Sequence, residues 1–246
     1  MDSSLYQQMR ALEDRHWWFR GRRAIVASLL RSSAWPAGTR ILDLGCGTGG
    51  NLAMLSQFGE VLGAERDAQA AQLAKARGVA PVVRASLPDA LPLAAGEFQC
   101  VTLLDVLEHI DDDRATLAAV HRLLAANGQL LLTVPAFPFL WGPHDLAHHH
   151  KRRYRARQLR QLLQDTGFEI ITLSYYNTWL FPLVVVARLL RKCLPGGDAG
   201  VELALPPAPV NTLLGMLFAS ERHLLRRIRL PFGVSLVAQA RKVSPC

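Results

Sequence analysis

The stretch Ile41-Leu42-Asp43-Leu44-Gly45-Cys46-Gly47-Thr48-Gly49-Gly50 decides the architecture of this 246-residue chain. Ile41, Leu42 and Leu44 are strand formers, glycines follow at 45, 47, 49 and 50, and an apolar pattern with helical spacing resumes from Leu52 to Phe58. A strand, a tight turn and a helix in that order let the backbone come close to a bound ligand. Gly45, Gly47 and Gly50 satisfy the dinucleotide pattern G-x-G-x-x-G, which is weak by itself.

Asp43, two residues before the first glycine, separates the alternatives. A dinucleotide pyrophosphate would rest on the helix N-terminus beside this carboxylate and be repelled by it. S-adenosylmethionine carries no phosphate, and its ammonium and sulfonium are attracted to a carboxylate. The block resembles the first motif of class I S-adenosylmethionine-dependent methyltransferases. Asp43, Gly45, Cys46, Gly47 and Gly49 are accordingly expected to bind that cofactor.

From Thr39 onward strands and helices alternate, with strands expected at about 40–45, 60–65, 80–84, 98–105, 128–134, 169–175 and 234–242. Helices are expected at about 49–57, 67–77, 112–125 and 156–166, the third stopping at Asn127-Gly128. The expected fold is α/β, a seven-stranded Rossmann-like doubly wound sheet, parallel and covered on both faces. Residues 1–38 read as an N-terminal helical lid and 39–175 as the cofactor-binding core. Residues 176–231 read as a helical insert and 232–246 as the last strand and tail, with Pro195-Gly196-Gly197 a linker inside the insert. In the first block, His16-Trp17-Trp18-Phe19-Arg20-Gly21-Arg22-Arg23 reads either as an aromatic helix docking on the domain or as a lid. In the lid reading Trp18 excludes water and Arg23 reaches the cofactor's carboxylate.

Composition bounds the rest. Half the residues are hydrophobic, enough to bury a core, and the net charge of +8 suits an acidic substrate, an anionic membrane surface or nucleic acid without choosing among them. The four cysteines are scattered with no C-x-x-C, which argues against a disulfide framework or structural zinc and for a reducing compartment. Met1–Phe19 lacks an apolar signal core, and the run Trp179–Ala187 contains Pro182 and stops at Arg188, too short to span a bilayer. The chain reads as cytoplasmic, with peripheral contact at the inner face of the membrane open to it.

Ligands of an open parallel sheet sit beyond the carboxyl ends of its strands. Glu65 ends the second strand and is placed to accept both ribose hydroxyls. After the third strand, Leu91-Pro92 resembles the family's adenine-side loop, with Ser86 and Leu87 where the family often has an aspartate. The fourth strand and the residues just after it, Phe98 to His109, resemble the family's FDxV…xxEH block with Gln99 in place of aspartate. Leu104 and Asp105 are then expected at the methionine end, while Glu108 and His109 read equally as capping or site residues. No Asn-Pro-Pro-Tyr motif marks a nucleic-acid amine as acceptor.

The fifth strand ends at Pro135 and is followed by Ala136 to Tyr154, rich in histidine. His144 beside Asp145 reads as a base and its orienting partner. The adjacent His148, His149 and His150 point in different directions, so no metal is expected there. Together with HWWF near the start, His144, Asp145, His150, Arg152, Arg153 and Tyr154 resemble a subgroup marked by HD…H.RRY, with Leu146 where that subgroup has glutamate. That resemblance implies His144, Asp145 and His150 as catalytic residues.

In the insert, Leu213, Leu217, Leu224 and Ile228 form one helical stripe opposite Arg222, Arg226 and Arg229. Such a helix suits a roof over the active site, a homodimer contact or an anionic membrane surface. The chain is expected to move a methyl group from S-adenosylmethionine to oxygen on a small-molecule or lipid-linked acceptor. The alternatives are carbon methylation of a quinone-like ring, or a basic RNA-binding or scaffold protein using Arg152, Arg153, Arg155, Arg157 and Arg160.

Overall fold

Every strand foreseen from apolar runs forms, as β1 (Arg40–Leu44), β2 (Glu60–Glu65), β3 (Val82–Arg84), β4 (Phe98–Leu104), β5 (Leu124–Pro135), β6 (Phe168–Tyr176) and β7 (Ser235–Lys242). The structure is a computed structural model and describes residues 3–89, 91–193 and 204–243. The Pro195-Gly196-Gly197 linker lies outside them. The strands make one sheet in the order β3-β2-β1-β4-β5-β7-β6.

The sheet is mixed rather than wholly parallel, because β7 runs antiparallel to both β5 and β6. Its first residue, Ser235, pairs with Tyr176, the last residue of β6, so the chain re-enters the sheet beside the point where it left. A parallel return would need a crossover to the opposite end of the sheet. A second departure lies in β5. The preceding helix stops at Leu123, and Asn127 adopts φ +60° inside the strand instead of ending the helix. The pairing with β4 then slips between Phe98 and Cys100, so Asn127-Gly128 marks a bulge.

Alternate residues along each strand enter opposite layers. Leu42, Leu44, Val101, Leu103, Leu130 and Leu132 face a layer built by α5 (Asp113–Leu123) and α7 (Ala156–Asp165). Ile41, Cys100, Leu104 and Leu131 face the other, built by α2 (Trp17–Leu30), α3 (Leu52–Leu55), α4 (Ala68–Lys75) and α9 (Ala208–Leu225). Helix starts follow their caps: Asp67 accepts from the backbone of Gln69 and Ala70 at 2.9 and 3.0 Å, and Asp112 from Ala115 at 2.8 Å.

The additions to this sandwich are α1 (Ser3–Leu12), the short α6 (Pro143–Ala147), α8 (Phe181–Cys193) and α9. Helix α9 lies along α2. Trp18 stacks on Phe218 at 5.1 Å and Phe218 on Tyr176 at 5.8 Å. The buried face of α9 holds Asn211, Phe218, Glu221 and Leu225. Asn211 accepts from Trp17 N and donates to Arg15 O, both at 2.9 Å. The Glu221 carboxylate takes the backbone N–H groups of Asn177, Thr178 and Trp179 at 2.6, 2.6 and 2.9 Å. The leucine stripe read from the sequence faces outward instead, with Leu213 62% and Ile228 49% exposed. Polar anchors decide the docking because α9 is apolar on more than one face. Among the described residues, no helix is long and apolar enough to cross a membrane.

Gly21 permits the approach of α2 to α9, since a Cβ there would lie 2.3 Å from the Phe218 ring. Gly21→Val should therefore overpack this seam and cost about 1–3 kcal/mol. Thermal unfolding should show a fall of several degrees; an unchanged melting temperature would contradict the packing.

Candidate active site at the carboxyl edge of the sheet

A cavity of about 950 Å³ opens where the parallel strands end. Gly45, Cys46 and Gly47 of the turn after β1 line one part of it, and His144, His148 and His150 line another. Trp17, Trp18 and Arg22 of α2 border it, as do Val184, Ala187 and Arg188 of α8.

At the glycine turn, Gly47 has φ +56° and a Cβ built on it meets nothing within 4 Å, so its backbone is open to a ligand. Its N–H donates to Glu65 Oε2 at 2.9 Å, while Glu65 Oε1 accepts from Asp67 N at 2.9 Å. Glu65 thus shapes the turn, and each oxygen keeps a further acceptor position for ribose hydroxyls. Gly49 turns away from the cavity toward α4, where a Cβ would meet Arg77 and Ala74.

Asp43 lies beneath the turn, only 1% exposed. Oδ1 accepts from the Thr102 hydroxyl at 2.6 Å, and Oδ2 is buried with no hydrogen-bond partner. Burial pushes its pKa up to about 6, against the Thr102 hydrogen bond and the nearby Arg22 charge. An unmet acceptor under an open glycine turn, with Glu65 beside it, fits an adenosine ligand that carries positive charge.

Leu104 and Asp105 close β4. Asp105 holds φ +60°, accepts from the Thr133 hydroxyl at 2.9 Å and is ion-paired with Arg22. Arg22 borders the cavity, whereas Arg23 donates to the Glu13 backbone carbonyl at 2.7 Å. The arginine that borders the cavity is thus Arg22, one residue from the expected Arg23. Consecutive helical residues point about 100° apart, so the HWWF…RR spacing alone did not choose between them. Trp18 and Leu87 border the cavity as expected, and Ser86 stands outside its lining.

The histidine wall is built by two loops. A single 3₁₀ turn, Leu107–His109, follows β4, and the Lys151 N–H donates to its Glu108 carbonyl at 2.8 Å, setting His150 beside it. Asp145 is fully buried and directs Oδ1 at His150 Nδ1, 2.9 Å away, and at Arg153 Nε, 2.8 Å away. Oδ2 accepts from Gly142 N at 2.8 Å. Burial opposes ionisation of Asp145, but the hydrogen bonds from His150 and Arg153 hold its carboxyl well below the usual carboxylate range. The expected partner of Asp145 was His144; the hydrogen bond that orients an imidazole goes to His150. His144 stands next to it, their rings 5.8 Å apart.

Two further residues complete the wall. Glu108 is fully buried with neither carboxylate oxygen hydrogen-bonded, and burial, then repulsion from Asp105, raises its pKa well above normal. His109 packs edge-on to His150 at 4.7 Å, and burial, then the His150 charge, lowers its pKa to about 4. Of the arginine cluster, Arg153 is buried and Arg152 pairs with Asp113 at 2.9 Å, so these two serve the fold instead of a nucleic-acid surface.

Residues 15–173 match a family described as a methyltransferase domain. The chain is 30% identical over 169 residues to a ubiquinone biosynthesis O-methyltransferase of Xanthomonas axonopodis, covering 58% of this chain and 69% of that one. Its fold is similar to the complex of the Haloferax volcanii Trm112 methyltransferase activator with a candidate methyltransferase, at TM-score 0.65 and 17% identity, over 99% of this chain and 96% of that one. It is also similar to Haemonchus contortus phosphoethanolamine N-methyltransferase 2 in complex with S-adenosyl-L-methionine, at TM-score 0.59 and 18% identity, over 89% and 52%. Fold and site together define the class I, S-adenosylmethionine-dependent type of methyltransferase. The chain belongs to the methyltransferase-domain family.

Gly47→Val should abolish S-adenosylmethionine binding, by filling the open turn and straining a positive-φ position. Calorimetry should also show affinity rising with pH through about 6 as Asp43 loses its proton, a rise that Asp43→Asn removes. A pH-independent affinity would separate Asp43 from the cofactor.

Proposed function

We propose that this chain transfers the methyl group of S-adenosylmethionine to an oxygen of a small, lipid-like acceptor. The observation that carries the reading is the buried Asp145 holding His150 in the wall of the cavity that also holds the glycine turn. Asp43, Gly45, Cys46, Gly47 and Glu65 would shape the cofactor's nucleoside side, and Arg22, Leu104 and Asp105 its methionine end. The bound cofactor supplies an activated methyl group on a positive sulfur. The protein's part is to bring the acceptor oxygen in line with it in a dry site, worth about 7–11 kcal/mol.

Proton loss from the acceptor hydroxyl is assigned to the histidine wall, with His150 at its centre, Asp145 as its orienting partner and His144 beside it. The new carbon–oxygen bond uses the acceptor's electron pair. The sulfur keeps the pair of the bond that breaks and becomes neutral. A greasy acceptor is supported by Val184 and Ala187 of α8 and by Trp17 and Trp18 on the cavity border. The similarity to a ubiquinone biosynthesis O-methyltransferase supports both the oxygen and the lipid-like character. The same apolar surround favours α1 and α2 as a lid and α8 as a roof. Leu183, Val186 and Leu190 on the outer side of α8 and Leu213 and Met216 on α9 are 53–63% exposed, a surface suited to collecting such an acceptor at a membrane face.

With a phenolic or hydroxylated isoprenoid acceptor, His150→Ala and Asp145→Asn should lower kcat by about 100- to 10,000-fold while cofactor affinity stays within twofold. Wild-type turnover in His150→Ala would remove the wall from the chemistry.

A further inference from the structure

The charge pattern of the histidine wall is incomplete. Asp145 accepts from His150 Nδ1, which leaves Nε2 to face the turn after β4. That Nε2 lies 4.0 Å from Glu108 Oε1, too far for a hydrogen bond, in a buried place. Among the described residues neither Glu108 oxygen finds a donor, although the group is completely buried. The adjacent cations are engaged elsewhere: Arg22 by Asp105, Arg153 by Asp145 and the Ala136 carbonyl, and Lys151 by Asp111. A buried carboxylate without donors is strongly unfavourable unless a positive charge or a proton meets it.

We propose that Glu108, His109 and His150 bind one divalent transition-metal cation of the zinc type, on the acceptor side of the cavity. Their ligand atoms all lie within 4.8 Å of one another. In a tetrahedral site with bonds of about 2.1 Å, neighbouring donors stand about 3.4 Å apart, a difference that small side-chain rotations close. Two imidazoles and one carboxylate select zinc-like ions over magnesium or calcium, which prefer all-oxygen shells. Asp145 completes the design by fixing the far nitrogen of a ligating histidine, as outer-shell carboxylates do in metal proteins. Three protein ligands leave a coordination position open to the cavity, the arrangement of catalytic rather than structural zinc sites. The run His148-His149-His150 offers no cage by itself; this set takes one member of that run and two from the turn after β4.

The site rests on the reading above for its role, with His150 a ligand in place of the base: an acceptor oxygen entering the open position would lose its proton to water at the cavity mouth more readily than in bulk. Binding itself is measured without any acceptor. Titration of the purified full chain with Co²⁺, followed by visible absorption, should show about one equivalent bound with the intensity of a four- or five-coordinate site, displaced by Zn²⁺. Glu108→Gln and His109→Gln should each weaken Co²⁺ binding at least tenfold, Asp145→Asn about 10- to 100-fold. His149→Ala, on the exposed neighbour, should leave it unchanged. Circular dichroism and retained S-adenosylmethionine affinity establish that each variant is folded, and either ligand variant suffices if the other is not. Substoichiometric binding, binding indifferent to both ligand variants, or loss on His149→Ala would overturn the site, and Glu108 would then be met by a proton. That result leaves the O-methylation reading intact. Tight Co²⁺ binding by the full chain that is lost in His150→Ala while turnover stays at the wild-type level would instead keep the site and remove the wall from the chemistry.

Discussion

Negative charge gathered at one edge of the sheet governs this molecule. Asp43, Glu108 and Asp145 are at most 1% exposed, and Asp105 is mostly covered. Carboxylates taken out of water need positive partners or hydrogen-bond donors. Asp105 has Arg22, which fastens α2 to the end of β4, and Asp145 has Arg153 and the His150 imidazole, which fasten the insert after β5. Asp43 and Glu108 keep oxygens that nothing in the described chain meets. The edge is thus held together by its paired acids and made receptive by its unpaired ones.

The same division explains how much of the molecule could be read from the sequence. The strands were legible because each is a short apolar run bounded by glycine, charge or a turn. The glycine turn, Glu65 and Asp105 were legible because a strand end fixes where its last side chain sits. Order was not: a hairpin turn would join β6 to β7, but nothing in residues 168–176 or 235–242 says that β7 lies between β5 and β6, since an antiparallel strand buried on both faces has the same composition as a parallel one.

The histidine wall was half legible. His144, Asp145 and His150 lie within seven residues, but which imidazole meets the carboxylate depends on how the chain bends through His149 at φ +53°. Glu108 carries no sequence mark of being buried and unpaired; only the approach of Lys151 to its carbonyl brings the two loops together. Helix α9 was legible on one side only. A hydrophobic stripe predicts burial when the opposite face is polar, and here Asn211 and Glu221, both polar, lie on the side that docks.

The seam between α2 and α9 joins parts of the chain that are far apart in synthesis. Trp17 meets Asn211 across 194 residues, and the Trp18 ring rests on Phe218. A ribosome delivers the amino end first, at about 5–20 residues per second. For roughly ten to forty seconds at that pace, the nascent tryptophans await the helix that will cover them. The mouth of the pocket therefore takes shape only after α9 has been made, and a growing chain meets its ligand no earlier than that.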